Sequence, residues 1–257
     1  MAYLNLDFFS KSLDMDTHAC VLLPQDFTGS REPAKVIYLL HGLSDDCTKW
    51  SRLTSLERYI RGKNVAVIIP EVQRSWYSDG IYGLKYFQFI AYELPDLMTR
   101  LFNISPKRED TYIAGLSMGG YGALRCALSR PDRYCKVAAF SSVCDLRQHL
   151  DDPDNPYMHQ YFGLKNEFIG IYGEEAKAND DCDNRILAAR ALKEPEHPPI
   201  FMTCGEQDTL CGANRNFKAY MDEIGYPCEL HTWEGYHNWA FWDQSLPMML
   251  KFFDIQA

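Results

Sequence analysis

The sequence predicts an α/β fold, with a mostly parallel central sheet and helices on both faces, built as one domain over residues 1–257. Three observations carry that expectation. Short unbroken apolar runs such as Val36-Ile37-Tyr38-Leu39-Leu40, Val65-Ala66-Val67-Ile68-Ile69 and Ile200-Phe201-Met202-Thr203-Cys204 read as strands buried on both faces. Stretches of helical period separate them, the alternation that parallel crossovers require. The chain has 257 residues, 46% hydrophobic and 24% charged, enough to bury a full core and far from a disordered composition.

Each element follows in order. Ala2 to Phe9 and His18 to Leu23 pair as an opening antiparallel hairpin. The Val36–Leu40 strand ends in His41-Gly42-Leu43-Ser44-Asp45-Asp46, and a helix is expected over Thr54 to Arg61. The Val65–Ile69 strand stops at Pro70, and Glu71 to Tyr82 is a loop rich in aromatics. Tyr86 to Leu101 reads as a helix interrupted or restarted at Pro95, where the ring removes a backbone donor. A strand around Ile113 leads into a helix that ends before Pro131, and Lys136 to Phe140 is the next strand. Residues of about 142–198 are polar and read as a small cap-like insertion over the sheet's upper edge. Beyond Ile200–Cys204 come a helix over Asn214 to Ile224, a strand over Pro227 to Trp233 and a closing helix over Ala240 to Phe253.

Bulk chemistry narrows the function. The net charge of −9 without a basic block argues against nucleic acid or an anionic membrane as partner. Nine cysteines form no Cys-x-x-Cys, which points to free thiols in a reducing compartment, with no disulfide framework and no metal site. The acidic clusters Asp151–Asp154 and Asp180–Asp183 lack the twelve-residue calcium-loop pattern and read as solvated turns. No basic-then-apolar leader opens the sequence and no apolar run approaches a membrane span, so the expected location is cytoplasmic. A homo-oligomer is compatible with the chain.

Chemistry concentrates at Gly115-Leu116-Ser117-Met118-Gly119. This is Gly-x-Ser-x-Gly between a strand and a helix, the context of a nucleophile elbow. A serine that must stand clear of the backbone sits on a strained turn, and side chains two positions to either side would collide there. The helix that follows directs its positive end at an oxyanion forming beside Ser117. Gly119, Gly120, Gly122 and Ala123 are small enough for that helix to lie close on the sheet.

Serine needs a base, and imidazole suits the task near neutral pH. The imidazole in turn needs a carboxylate. In open parallel sheets ligands gather beyond the strands' carboxyl ends. His237 follows the last strand in a glycine- and aromatic-rich loop, with His41 as its competitor. Asp208 follows Gly205 at another strand end, with Asp145 as the rival acid and a helix-capping role as its alternative. The order Ser117, Asp208, His237 is that of hydrolases of this architecture. The backbone N–H groups of Met118 and Leu43 are the expected oxyanion donors. His41, Gly42, Trp50, Trp76 and Tyr82 are candidate substrate-binding residues. Aromatics from Trp76 to Phe89, and Tyr157, Tyr161, Phe162 and Phe168, either line the pocket or fill the core.

The segments Tyr38-Leu39-Leu40-His41-Gly42, Trp50, Glu93-Leu94-Pro95, Gly115–Ala123, Asp208 and Gly235-Tyr236-His237 together resemble the esterase D branch of the α/β-hydrolases, in particular bacterial tributyrin esterases. The resemblance covers nearly the whole chain. It implies an α/β-hydrolase fold and a serine carboxylesterase that cleaves small esters with acetyl to butyryl groups and uses no cofactor. The sister S-formylglutathione hydrolases typically read Gly-His-Ser-Met-Gly-Gly at the elbow and Ser-Gly-Leu-Thr-Cys at the oxyanion loop. Here Leu116 replaces that histidine, and the loop reads His41-Gly42-Leu43-Ser44-Asp45. Feruloyl and acetylxylan esterases are further relatives of this group.

Overall fold

The computed structural model describes residues 1–25, 32–144, 146, 164–173 and 180–255. Eight strands form one sheet in the order β1-β2-β4-β3-β5-β6-β7-β8. β1 (Ala2–Ser10) and β2 (Met15–Leu23) are the antiparallel hairpin. β2 also runs antiparallel to β4 (Val65–Pro70). From β4 through β3 (Lys35–Leu40), β5 (Thr111–Leu116), β6 (Lys136–Phe140), β7 (Ile200–Gly205) and β8 (Cys228–Trp233) every pairing is parallel.

The unbroken apolar runs belong to strands with a core on each side. In β3, Val36, Tyr38 and Leu40 face one cluster and Ile37 and Leu39 the other, the period-two alternation of a pleated strand. The first cluster is covered by α4 (Leu94–Leu101), α5 (Met118–Ser129), α7 (Asn184–Ala191) and α8 (Cys211–Glu223). The second is covered by α1 (Lys49–Leu53), α2 (Leu56–Ile60) and α9 (Trp239–Phe252).

One helical expectation changes and another gains detail. The helix expected over Thr54 to Arg61 is a pair, α1 and α2, because Thr54 turns extended between them and its hydroxyl caps the Trp50 carbonyl at 2.5 Å. The stretch from Tyr86 to Leu101 is interrupted and restarts at Leu94, with Pro95 in the first turn of the new helix. It runs as α3 (Tyr86–Gln88), a π-helical turn over Phe89–Glu93 and then α4, and the Arg130 guanidinium donates to the Ala91 carbonyl at 3.3 Å. A π turn beside a proline relieves the clash of the ring with the preceding turn. Within 142–198, α6 (Leu164–Tyr172) and α7 are helical. Asp183 caps α7, while Asp180 and Asp181 pair with Arg190, so these carboxylates serve local structure. The cluster at 151–156 lies outside the described residues. No helix among the described residues is long and apolar enough to cross a membrane.

Candidate active site

β3, β5, β7 and β8 are paired in parallel or lie in the same parallel run, so their carboxyl ends share one rim. Ser117 follows β5 directly. Its backbone sits at φ 53°, ψ −117°, a conformation that costs a non-glycine residue about 1–3 kcal/mol. Its N–H donates to Phe140 O at 2.9 Å, and Tyr121 N–H returns to Ser117 O at 3.1 Å, so the sharp corner is fastened on both sides. The flanking glycines are sterically required. A Cβ on Gly115 would lie 2.3 Å from Gly119 O, and one on Gly119 would lie 2.5 Å from Leu40 O. Gly122 has a different reason from the one expected: it makes room for the Tyr77 ring, 2.3 Å from its would-be Cβ, and Tyr77 Oη donates to His41 O at 2.9 Å.

The structure brings Ser117, His237 and Asp208 together. His237 Nε2 lies 3.1 Å from Ser117 Oγ, and His237 Nδ1 lies 2.8 Å from Asp208 Oδ2. A proton on Nδ1, held by the carboxylate, leaves Nε2 free to accept from the serine hydroxyl. Asp208 does more than cap: Oδ2 faces the imidazole while Oδ1 accepts from Leu210 N–H at 2.8 Å. Burial raises the Asp208 pKa, but the hydrogen bond and charge of His237, the Leu210 N–H and the Ser141 hydroxyl outweigh it and hold the carboxyl below its ordinary value. Asp145, the rival acid, lies outside the described residues.

The two loops that carry Asp208 and His237 are gripped to each other. Gln207 N–H donates to Gly235 O at 3.0 Å, and Gln207 Oε1 accepts from Gly235 N–H at 2.7 Å. The backbones approach so closely that a Cβ on Gly205 would sit 2.2 Å from Gly235 O. Asn238 then caps α9 through Phe241 N–H at 3.1 Å. Trp242 meets the His237 ring edge-on at 5.0 Å, and its indole N–H donates to Ser141 Oγ at 3.1 Å. Gln207, Ser141 and Trp242 escaped the sequence reading. Only Gln207, adjacent to the candidate acid, stood where a search would reach it; the other two come from β6 and α9 and meet only in the fold.

The loop after β3 lies against the start of α5, with Gly119 closed on the Leu40 and His41 carbonyls. The Leu43 and Met118 N–H groups donate to no acceptor among the described residues. Met118 opens α5, where the first amides of a helix have no partner within it.

Of the candidate substrate-binding residues, His41 and Gly42 sit in the rim loop after β3, while Trp50 and Trp76 are fully buried and Tyr82 is exposed. His41 is wholly buried: its Nδ1 contacts Gly42 O at 2.8 Å and its Nε2 accepts from Val72 N–H at 3.2 Å. It braces the loop, while it is His237 whose Nε2 contacts Ser117 Oγ. Gly42 is tied to Asp45 Oδ2 at 3.2 Å. Trp50 is core, donating to Leu40 O at 3.0 Å and packed edge-on against Phe140 and Trp239. Trp76 is also core, against Phe168 and Tyr121. Tyr82 is 78% exposed and borders a cavity of about 370 Å³ with Tyr86, Glu167 and Gly170, whose described walls include none of Ser117, Asp208 or His237. The buried rings are corrections with one cause: large aromatics gain most by filling the space between sheet and helices. Tyr157, Tyr161 and Phe162 lie outside the described residues.

Known proteins share this architecture. A family model described as "Putative esterase" matches residues 10–253. An acetyl esterase of Caldicellulosiruptor saccharolyticus is 31% identical over 258 residues, covering 95% of each chain. The substrate-bound structure of fluorophosphonate-binding serine hydrolase F of Staphylococcus aureus superposes with a TM-score of 0.88 at 32% identity, covering 100% of this chain and 99% of that one. An S-formylglutathione hydrolase from the same organism superposes at 0.84, also at 32% identity, with 98% of each chain covered. The chain has the α/β-hydrolase fold and belongs to this esterase family.

Proposed function

We propose that the protein is a serine carboxylesterase that hydrolyses small esters with acetyl to butyryl groups, with Ser117, His237 and Asp208 as its catalytic residues. The observation that carries the reading is the continuous hydrogen-bonded chain from hydroxyl to imidazole to buried carboxylate. His237 takes the Ser117 proton as Oγ attacks the ester carbonyl. The Leu43 and Met118 N–H groups receive the oxyanion, where such donors are worth about two to three orders of magnitude in rate each. His237 protonates the departing alcohol, then activates the water that releases the acid, and Asp208 stays ionised throughout. No step calls on a cofactor. The stretch of about 142–198 is inferred to be an insertion over the strand ends, supported by Phe168 packing on Trp76. The cysteines in the structure are free thiols, which supports a cytoplasmic location.

The acetyl end of the acyl range is supported by the likeness to an acetyl esterase, and its extension to butyryl by the resemblance to tributyrin esterases. A second reading, hydrolysis of a glutathione thioester, is favoured by the S-formylglutathione hydrolase structure and opposed by Leu116 and the His41–Asp45 loop. Kinetics with p-nitrophenyl esters from acetyl to octanoyl, beside S-formylglutathione, test both. The expected result is highest kcat/KM among the acetyl to butyryl oxyesters, with Ser117→Ala reducing kcat by roughly 10⁶. Full activity in Ser117→Ala would overturn the assignment, and dominance of the thioester would transfer it to the second reading.

A further inference from the structure

A group of metal-binding side chains lies on the far side of the β3 loop from the serine. His18 and Cys20 alternate onto one face of β2, and Glu71 N–H donates to His18 O at 3.0 Å, so Glu71 stands opposite His18 across the sheet. Cys47 descends from the loop above, its N–H donating to Glu71 Oε2 at 3.0 Å. A His18 ring nitrogen, Cys47 Sγ and a Glu71 carboxylate oxygen all lie within 4.8 Å of one another. His18 Nε2 is 3.9 Å from Glu71 Oε2, and Cys20 Sγ is 3.5 Å from Cys47 Sγ. Tetrahedral zinc, with bonds of about 2.0–2.3 Å, spaces its ligand atoms by roughly 3.3–3.8 Å. The His18–Glu71 and Cys20–Cys47 separations are already close to that spacing.

Glu71 Oε2 accepts the Cys47 N–H, and among the described residues only His18 and His41 lie within ion-pair distance of this carboxylate. Tyr3 Oη donates to Cys20 Sγ at 3.0 Å, and Cys20 Sγ lies 3.4 Å from Asn5 Oδ1 and 3.5 Å from Cys47 Sγ, so the second cysteine is held beside the first.

We infer that His18, Cys47 and Glu71, with Cys20 behind them, form a binding site for a thiophilic divalent cation of the zinc type. Imidazole, thiolate and carboxylate are the donors zinc takes, and a set containing sulfur disfavours calcium and magnesium. Binding forms the Cys47 Sγ–metal bond and releases the thiol proton to solvent. Sequence spacing hides the site, because His18, Cys47 and Glu71 come from within β2, from the loop after β3 and from the residue after β4.

The test uses the full chain, reduced, titrated with zinc chloride by calorimetry and with cobalt(II) by absorption. One tight equivalent of zinc and a thiolate-to-cobalt charge-transfer band are expected. Cys47→Ser should abolish the band. His18→Asn, at an exposed position that folding tolerates, should weaken zinc binding by at least about tenfold. His231→Asn, which removes the surface His231–Glu229 pair, should change neither. A wild-type protein without the cobalt band, or zinc affinity unmoved by His18→Asn, overturns the proposal, and the second result stands even where Cys47→Ser fails to fold.

Discussion

Asp208 is the residue at which geometry and electrostatics meet. Its pKa is held low by His237 and two further donors. A carboxylate depressed in the folded state contributes stability above its unfolded pKa of about 3.9 and loses it as pH falls through the lower folded value. Glu71 acts in the same direction. Acid unfolding followed by circular dichroism should therefore begin below about pH 4, and Asp208→Asn and Glu71→Gln, which lack one of these carboxylates, should be less stable at neutral pH and lose less stability as the pH falls. For activity, Asp208→Asn keeps the shape but favours the wrong imidazole tautomer, and kcat should fall by about 10⁴ with little change in KM. Ser141 was not legible in the sequence, since nothing around it signals a partner. Its hydroxyl accepts from Trp242, and Ser141→Ala should destabilise the protein by about 1–3 kcal/mol by leaving that indole N–H unpaired, measured by urea denaturation.

At the scale of the element, the site is a set of strand ends held in register by backbone contacts too close for side chains. The elbow was legible because Gly115 and Gly119 flank a serine at fixed spacing, and the contacts of 2.3 and 2.5 Å explain that spacing. The meeting of the Gly205 and Gly235 backbones was not legible, because it joins the ends of β7 and β8 and depends on a sheet order that periodicity does not encode. Gly205→Ala tests it. A Cβ there meets Gly235 O, so the two loops must part. Stability should fall by about 1–3 kcal/mol, and kcat should fall with it as His237 leaves Ser117, read by thermal denaturation and steady-state kinetics on one preparation. The restart at Pro95 was legible because proline suits the first turn of a helix, whereas the π turn over Phe89–Glu93 before it carries no such mark.

Across the whole molecule, two cores sandwich an eight-stranded sheet, and this division decided what the sequence could reveal. Continuous apolar runs such as Val36–Leu40 announced strands covered on both faces. The same burial drew Trp50 and Trp76 inward, and an aromatic in sequence carries no mark telling a core ring from a pocket wall. Trp50→Ala separates the roles. It should cost about 3–5 kcal/mol in stability and leave KM for p-nitrophenyl acetate unchanged below the melting range, whereas a pocket wall would raise KM.

Ser117 at the rim is the proposed nucleophile, activated by His237 and Asp208. Peptide mass mapping after reaction with a fluorophosphonate tests this assignment most directly. One adduct per chain is expected, on Ser117, with labelling lost in Ser117→Ala and greatly slowed in His237→Ala. A folded wild-type protein that takes up no label, or one labelled at another residue, would contradict it.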